Sequence, residues 1–463
     1  MLAWRQGWWA AVEEAPMSPG DAVAGRGTTG GRGLRRRSVV LAAPVLAALP
    51  GVAAAAPAGG GRFDPGDWSA VRAQFALRPD YAHFAAFVLS SPPRSVREAI
   101  ASFRDRLDTF PEEFRHGVAD LEYGARAQAA LGGYAGAPPG EIALTDSATM
   151  AIGLVYGGLR LEPGDEVLTT PHEFYSTHES LRLRSAAHGV RVRQVALYDD
   201  PATASREEMT ARLRRAVTGR TRVVALTWVH SGTGVKVPVR DVADALARVN
   251  AHRRERDRVL LCVDGVHGFA AEDVDVPALG ADFFMTSAHK WLFGPRGTGF
   301  AWGSPAAWRR VDTAVPSFSA PAFTGWLTGR PPVGDPGTLN SPGGYHSFEN
   351  RWALPEAVAF QRAIGRDRVA ARVREQATRL KEGLAALPRV RLVTPRSAEV
   401  SAGVVCCVVD GVAGEEVVAR LLAEHRISAG TTPYRESYVR FGPSIVTDDE
   451  EVDRLVRAMA AFG

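Results

Sequence analysis

Between Glu141 and Trp302 the chain alternates two kinds of apolar pattern. Short continuous runs fall at Glu141–Thr145, Glu166–Thr170, Val190–Leu197, Thr221–Val229, Arg258–Asp264, Asp282–Ser287 and Gly299–Trp302. Runs of this length with no polar alternation predict strands buried on both faces. Between them, apolar residues recur every three to four positions at Ser176–His188, Arg206–Val217 and Val239–Arg254, which predicts helices. Asp146–Tyr156 reads as a further helix, with Asp146 or Ser147 as its N-cap. Strand, helix, strand, helix in this order predicts the α/β class, a mostly parallel sheet covered by helices. In such sheets ligands bind beyond the C-terminal ends of the strands. His172, Ser231, Asp264 and Lys290 all fall at or just after predicted strand ends.

The flanking segments divide the chain further. Residues 61–94 form an irregular entry segment. A large domain is expected over 95–325, opening with helices at Ser95–Asp108 and Leu121–Leu131. Residues 326–463 hold the rest of a Pro/Gly-rich stretch (314–347) that reads as an ordered loop or lid. Ala353–Leu387 then reads as a helical bridge with Gly365 as its kink point. The remainder, strands at 390–393, 404–409 and 438–441 alternating with helices, predicts a compact α+β lobe of about 100 residues. Residues 1–60 are different in character: a small-residue extension, then Arg35-Arg-Arg, an apolar stretch, and Ala-x-Ala-type residues. That order is a secretory leader of the twin-arginine type, so export is expected, with Met17 as an alternative start. Its apolar part is short and broken by Pro and Gly, so no membrane anchor is expected.

Composition narrows the function. Apolar residues at 46% and charged residues at 23% are ordinary for a globular protein. A net charge of +4 from scattered arginines gives no nucleic-acid footprint. Three cysteines, Cys262, Cys406 and Cys407, make neither a disulfide framework nor a metal cluster. The chain has only three lysines, Lys236, Lys290 and Lys381. Lys290 lies in Thr286-Ser-Ala-His-Lys-Trp-Leu-Phe-Gly-Pro-Arg-Gly-Thr-Gly299, at the turn between two strands expected to be buried, where an unpaired ammonium is costly. Two readings are open: its head snorkels to solvent, or it is a nucleophile that condenses with a carbonyl cofactor, a task closed to arginine.

Asp264 ends a buried strand, and the helix start at Ser147–Thr149 offers free backbone N–H groups to an anion. An amine, a carboxyl and an anion cradle are the three needs of pyridoxal 5'-phosphate. Val263-Asp-Gly-Val-His267 and the Lys290 motif resemble the aspartate and lysine motifs of class V aminotransferases, the fold-type I branch with cysteine desulfurases and isopenicillin N epimerase-like proteins. The likeness spans roughly residues 80–463 and is most specific at Ser287-Ala-His-Lys290. It implies that Lys290 carries pyridoxal phosphate and moves the Cα proton, that Asp264 pairs with the pyridine nitrogen, and that His172 stacks on the ring. It further implies phosphate binding by Ala148, Thr149, Ser287 and His289, positions near the ring hydroxyl for Ser231 and His267, and binding of the substrate carboxylate by Arg440. A homodimer acting on a small amino substrate is implied too.

Departures from the pattern matter. The region ahead of the Arg440 strand, Ile427–Arg435, lacks the cysteine that a desulfurase needs to accept sulfur. A second carboxylate-binding arginine is replaced there by Gly430 or Thr431, with Arg435 as a substitute. The turn that reaches the neighbouring subunit's phosphate corresponds to Tyr345–Trp352, with Ser347, Asn350 and Arg351 as candidates. The expectation is an aminotransferase, with epimerase or β-lyase chemistry, or a non-catalytic exported binding protein, as alternatives. The leader is tested separately: replacing Arg35 and Arg36 by Lys should retain the protein in the cytoplasm, read by cell fractionation, and unchanged export would remove the twin-arginine assignment.

Overall fold

The computed structural model describes residues 63–112 and 118–462; the predicted leader lies outside them. The strands, in chain order, are β1 (Ala82–His83), β2 (Ile142–Thr145), β3 (Glu166–Thr169), β4 (Arg191–Gln194), β5 (Thr221–Thr227), β6 (Leu260–Asp264), β7 (Phe283–Ser287), β8 (Gly299–Gly303), β9 (Val390–Leu392), β10 (Val405–Val409), β11 (Ile427–Ser428), β12 (Gly430–Thr431) and β13 (Val439–Phe441). Seven of them form one sheet in the order β2-β8-β7-β6-β5-β3-β4. Its neighbours are parallel except at β8, which runs against both β2 and β7. Every residue of β2, β3, β6, β7 and β8 is buried, as their continuous apolar runs require. Helices cover both faces, so the architecture is the expected α/β one.

A second sheet, β12-β13-β10-β9, is antiparallel and carries its own core with Leu380, Leu421 and Leu455. Cys406 and Cys407 on β10 point to opposite sides: Cys406 belongs to the core of the large sheet, Cys407 to that of the small one. The bridging stretch is two helices, Leu354–Ile364 and Arg366–Ala385, broken at Gly365. Its φ of 100° is open to glycine and closed to other residues. The 314–347 segment contains helices Ala320–Thr328 and Pro336–Asn340 and packs on the β2 edge, where Ser341 Oγ accepts the Leu144 N–H at 2.9 Å. The entry segment is not wholly irregular: β1 pairs in parallel with β11, and Ala82 and Phe84 enter the small core. Two residues are too few for any alternation to show in the sequence.

The sheet also explains how two distant turns come together. Gly299 sits in register with Thr145 on one side and Ser287 on the other. A Cβ at Gly299 would lie 2.7 Å from the Thr286 carbonyl oxygen and 2.8 Å from the Ser147 carbonyl carbon. Both are backbone atoms and cannot step aside. Gly299→Ala should therefore destabilise the fold by about 1–3 kcal/mol, the usual scale of overpacking. Urea unfolding of variant and parent checks this; an unchanged midpoint would show that the two turns are not this tightly packed.

Candidate active site

The ends of β2, β6 and β7 place the first group of candidates. Ser147 caps the helix Ala148–Gly158 by accepting the Met150 N–H at 3.1 Å, so Ser147 rather than Asp146 is the N-cap. Asp146 instead pairs with Arg351 at 3.0 Å. The Ala148 N–H donates to Ser287 Oγ at 3.0 Å, and Thr149 is exposed at the first turn. His289 follows on the same turn as Ser287. Its backbone carbonyl accepts from Ser90 N at 3.1 Å and Ser90 Oγ at 2.8 Å, while its Nδ1 is buried with no hydrogen-bond partner. The helix start thus meets the Ser287 turn, and an orphaned buried nitrogen lies two residues further along that turn.

Asp264 ends β6 with only 4% of its surface exposed, and its Oδ1 accepts the Val266 N–H at 3.0 Å. Burial pushes its carboxyl up to about 6, against the pull of that hydrogen bond and of the Lys290 charge. Lys290 is largely enclosed yet still reached by solvent. Burial depresses its amine to about 8, with Asp264 opposing the shift and Arg440 adding to it. The three lysines contrast sharply. Lys236 pairs with Glu272 at 3.0 Å. Lys381 donates to the Pro395 and Arg396 carbonyls and to Ser401 Oγ at 3.2, 2.8 and 2.7 Å. Among the described residues Lys290 Nζ has neither a hydrogen-bond partner nor a carboxylate within 4 Å, although Asp264 is within electrostatic reach. That is not snorkelling, in which the head escapes to bulk water.

Arg440 arrives from the second sheet. On β13 it is 7% exposed, its Nη1 donates to the Ser231 carbonyl at 3.1 Å, and its guanidinium lies over the Phe87 ring at 4.0 Å. Its Nε is buried without a partner, and no carboxylate among the described residues pairs with it. Arg440 is therefore not part of a surface ion pair. Ser231 Oγ bonds the Tyr434 hydroxyl. His267 is fully buried, and its Nδ1 accepts the Trp291 indole N–H at 3.3 Å, so at that nitrogen it is a satisfied core histidine. His172 stacks on Tyr198 with centroids 4.5 Å apart and planes 17° apart, and burial holds it down to about 4, so it is uncharged at neutral pH. Lys290, Asp264, His267, His289 and Arg440 form one electrostatic cluster.

Sequence reasoning missed several neighbours. Tyr198 bonds His230 Nδ1 at 2.9 Å and Thr233 Oγ1 at 3.0 Å behind His172. Tyr434 lies in the loop read for its missing cysteine and for a carboxylate-binding arginine. Glu173, fully buried, had a visible signal: a charged residue in the short turn that follows the apolar run Glu166–Thr170. Of the residues suggested for a neighbouring subunit's phosphate, Arg351 is engaged by Asp146 of its own chain, and Asn350 donates to the Arg296 carbonyl at 3.1 Å. A cavity of about 700 Å³ lies elsewhere, lined by Trp308, Val311, Phe318, Phe323, Trp326 and Leu339. None of the cluster residues borders it.

Comparison with known proteins places this arrangement. The isopenicillin N epimerase of Streptomyces clavuligerus is 29% identical over 406 residues, 86% of this chain and 98% of that protein. Among solved structures, a C-DES variant with glycine covalently linked to its PLP cofactor superposes with a TM-score of 0.74 at 22% identity, over 85% of this chain and 99% of that one. The cysteine desulfurase CsdA of Escherichia coli gives a TM-score of 0.70 at 21% identity, over 86% and 98%. At these identities the structures share the fold. The profile of the aminotransferase class-V family matches residues 125–455, and the chain belongs to that family.

Proposed function

We propose that the chain is a pyridoxal-phosphate enzyme that acts at the α-carbon of an amino acid or amine, with amino transfer as its reaction. The observation that carries this reading is Lys290: a buried amine with no anion beside it, within reach of a buried carboxyl and a helix N-terminus. When bound, pyridoxal phosphate draws electrons from the bonds at the substrate's α-carbon. The residues present fit that group. Ala148, Thr149, Ser287 and the orphaned Nδ1 of His289 would hold its phosphate, and Asp264, anionic above about pH 6, would pair with its ring nitrogen. His172 offers an uncharged imidazole face, with Ser231 and His267 flanking.

Lys290 does the proton work. Above about pH 8 its amine is neutral and carries the free lone pair that both attachment and Cα proton removal need. Arg440 keeps a buried Nε without a partner, a donor that suits a substrate carboxylate. Cys262, Cys406 and Cys407 are all buried, with thiols pushed up by burial, so none serves as a sulfur acceptor. Epimerisation is a second reading, favoured by the Streptomyces clavuligerus relative, which aligns over nearly its whole length. It differs only in returning the proton to the same carbon.

The sign of the Lys290 shift makes a testable statement. A lowered amine pKa means more neutral lysine at a given pH, so cofactor capture by the apoprotein should rise with pH and level off above about 8. Stopped-flow absorbance across pH 6–10 measures it; an inflection near the ordinary lysine value would remove Lys290 from this role. Borohydride followed by peptide mapping should label the Lys290 peptide, and Lys290→Ala should lose that label. For the reaction, the purified protein is incubated with an amino acid panel with and without a keto acid. Amino transfer to the keto acid is the expected result, while racemisation without transfer would replace it by the second reading.

A further inference from the structure

Glu173 is the one buried acid near the cluster that the proposed chemistry does not use. It is 0% exposed, and the residues around it are equally sealed: Thr170 at 0%, Thr227 at 3% and Asp264 at 4%. Its Oε1 accepts the Thr170 hydroxyl at 2.7 Å, and its Oε2 bonds the Thr227 hydroxyl. Thr170 Oγ1 in turn accepts the His172 N–H at 3.1 Å. Thr227 is the register partner of Asp264 across β5 and β6, and the next N–H, that of Trp228, donates to the Asp264 carbonyl at 2.9 Å. A continuous path of hydrogen bonds and strand pairing therefore runs from the His172 backbone through Thr170, Glu173 and Thr227 to Asp264.

We propose that Glu173 is a positioning residue: it clamps the turn that presents His172 and ties that turn to the strand end that carries Asp264. The inference rests on the cofactor reading given above. A carboxylate sealed in this way with no cation within 4 Å among the described residues is costly, and the group keeps its proton instead, its O–H then donating to the Thr227 hydroxyl while the other oxygen accepts from Thr170. Burial, with the nearby Asp264 charge added, raises Glu173 to about 8, above Asp264 at about 6. Of the two neighbouring acids, Asp264 therefore ionises first, and Glu173 serves as an uncharged bridge. Glutamine, of the same shape and without charge, should replace it; alanine should not.

The test has two arms. In the cofactor-free protein, hydrogen exchange of the segment containing the His172 amide should quicken about tenfold in Glu173→Ala, the scale of one lost hydrogen bond, and stay near the parent in Glu173→Gln. With pyridoxal phosphate bound, the visible circular dichroism band, which reports how the ring is held, should be lost in Glu173→Ala and kept in Glu173→Gln. If Glu173→Ala does not fold, Thr170→Val and Thr227→Val each remove one arm of the clamp and should show the same two changes. Unchanged exchange overturns the clamp. Changed exchange with an unchanged band overturns its link to the cofactor, and a glutamine variant as impaired as alanine overturns the uncharged bridge. A parent protein that shows no band at all defeats the cofactor reading instead, while the exchange arm still decides the clamp.

Discussion

An amine largely enclosed, with no anion beside it among the described residues, is the constraint on which this site depends. Lys290 is held so by the turn between β7 and β8, both fully buried strands. The depression of its pKa follows directly, because a low-dielectric surrounding penalises the charged form. Asp264 is raised for the same reason and is close enough to feel Lys290 without pairing with it. Had the two met in an ion pair, each would have quenched the other. Separated, they leave an amine and a carboxyl that feel each other's charge without pairing.

The rest of the large sheet serves that separation. Parallel strands deliver His172, Asp264 and Ser287 to one edge, since all their C-terminal ends point the same way. The antiparallel β8 lets β2 approach β7, and Gly299 lets their backbones come near enough for the Ala148 N–H to reach Ser287. The second sheet then adds Arg440, which lies opposite Cys406 on β10, and the entry segment closes over it with Phe87. The short β1–β11 pairing holds that entry segment to the C-terminal lobe, so residues far apart in the chain frame one cluster.

Which parts were readable beforehand follows from the range of the forces involved. Continuous Val/Leu runs announced the buried strands because burial on both faces acts residue by residue. The Ser147–Thr149 helix start was legible because capping is a local hydrogen bond. The entry segment was not, because β1 is two residues long and exists only through β11. Asp146 and Ser147 could not be told apart as caps, since Arg351, some two hundred residues later, claims Asp146.

The sequence by itself determined the α/β order of elements, the strand-end positions of Asp264 and Lys290, and the absence of a thiol ahead of Arg440. These depend on residue type and local periodicity. Only the tertiary structure decided that, among the described residues, Lys290 alone of the three lysines is unpaired, that Arg440 is buried on Phe87 with no acid beside it, and that His267 is engaged by Trp291. It alone showed Tyr198 behind His172 and Glu173 joining the His172 turn to the Asp264 strand. Each of those is a contact between segments distant in the chain, set by how the sheet orders its strands, and no local pattern encodes it.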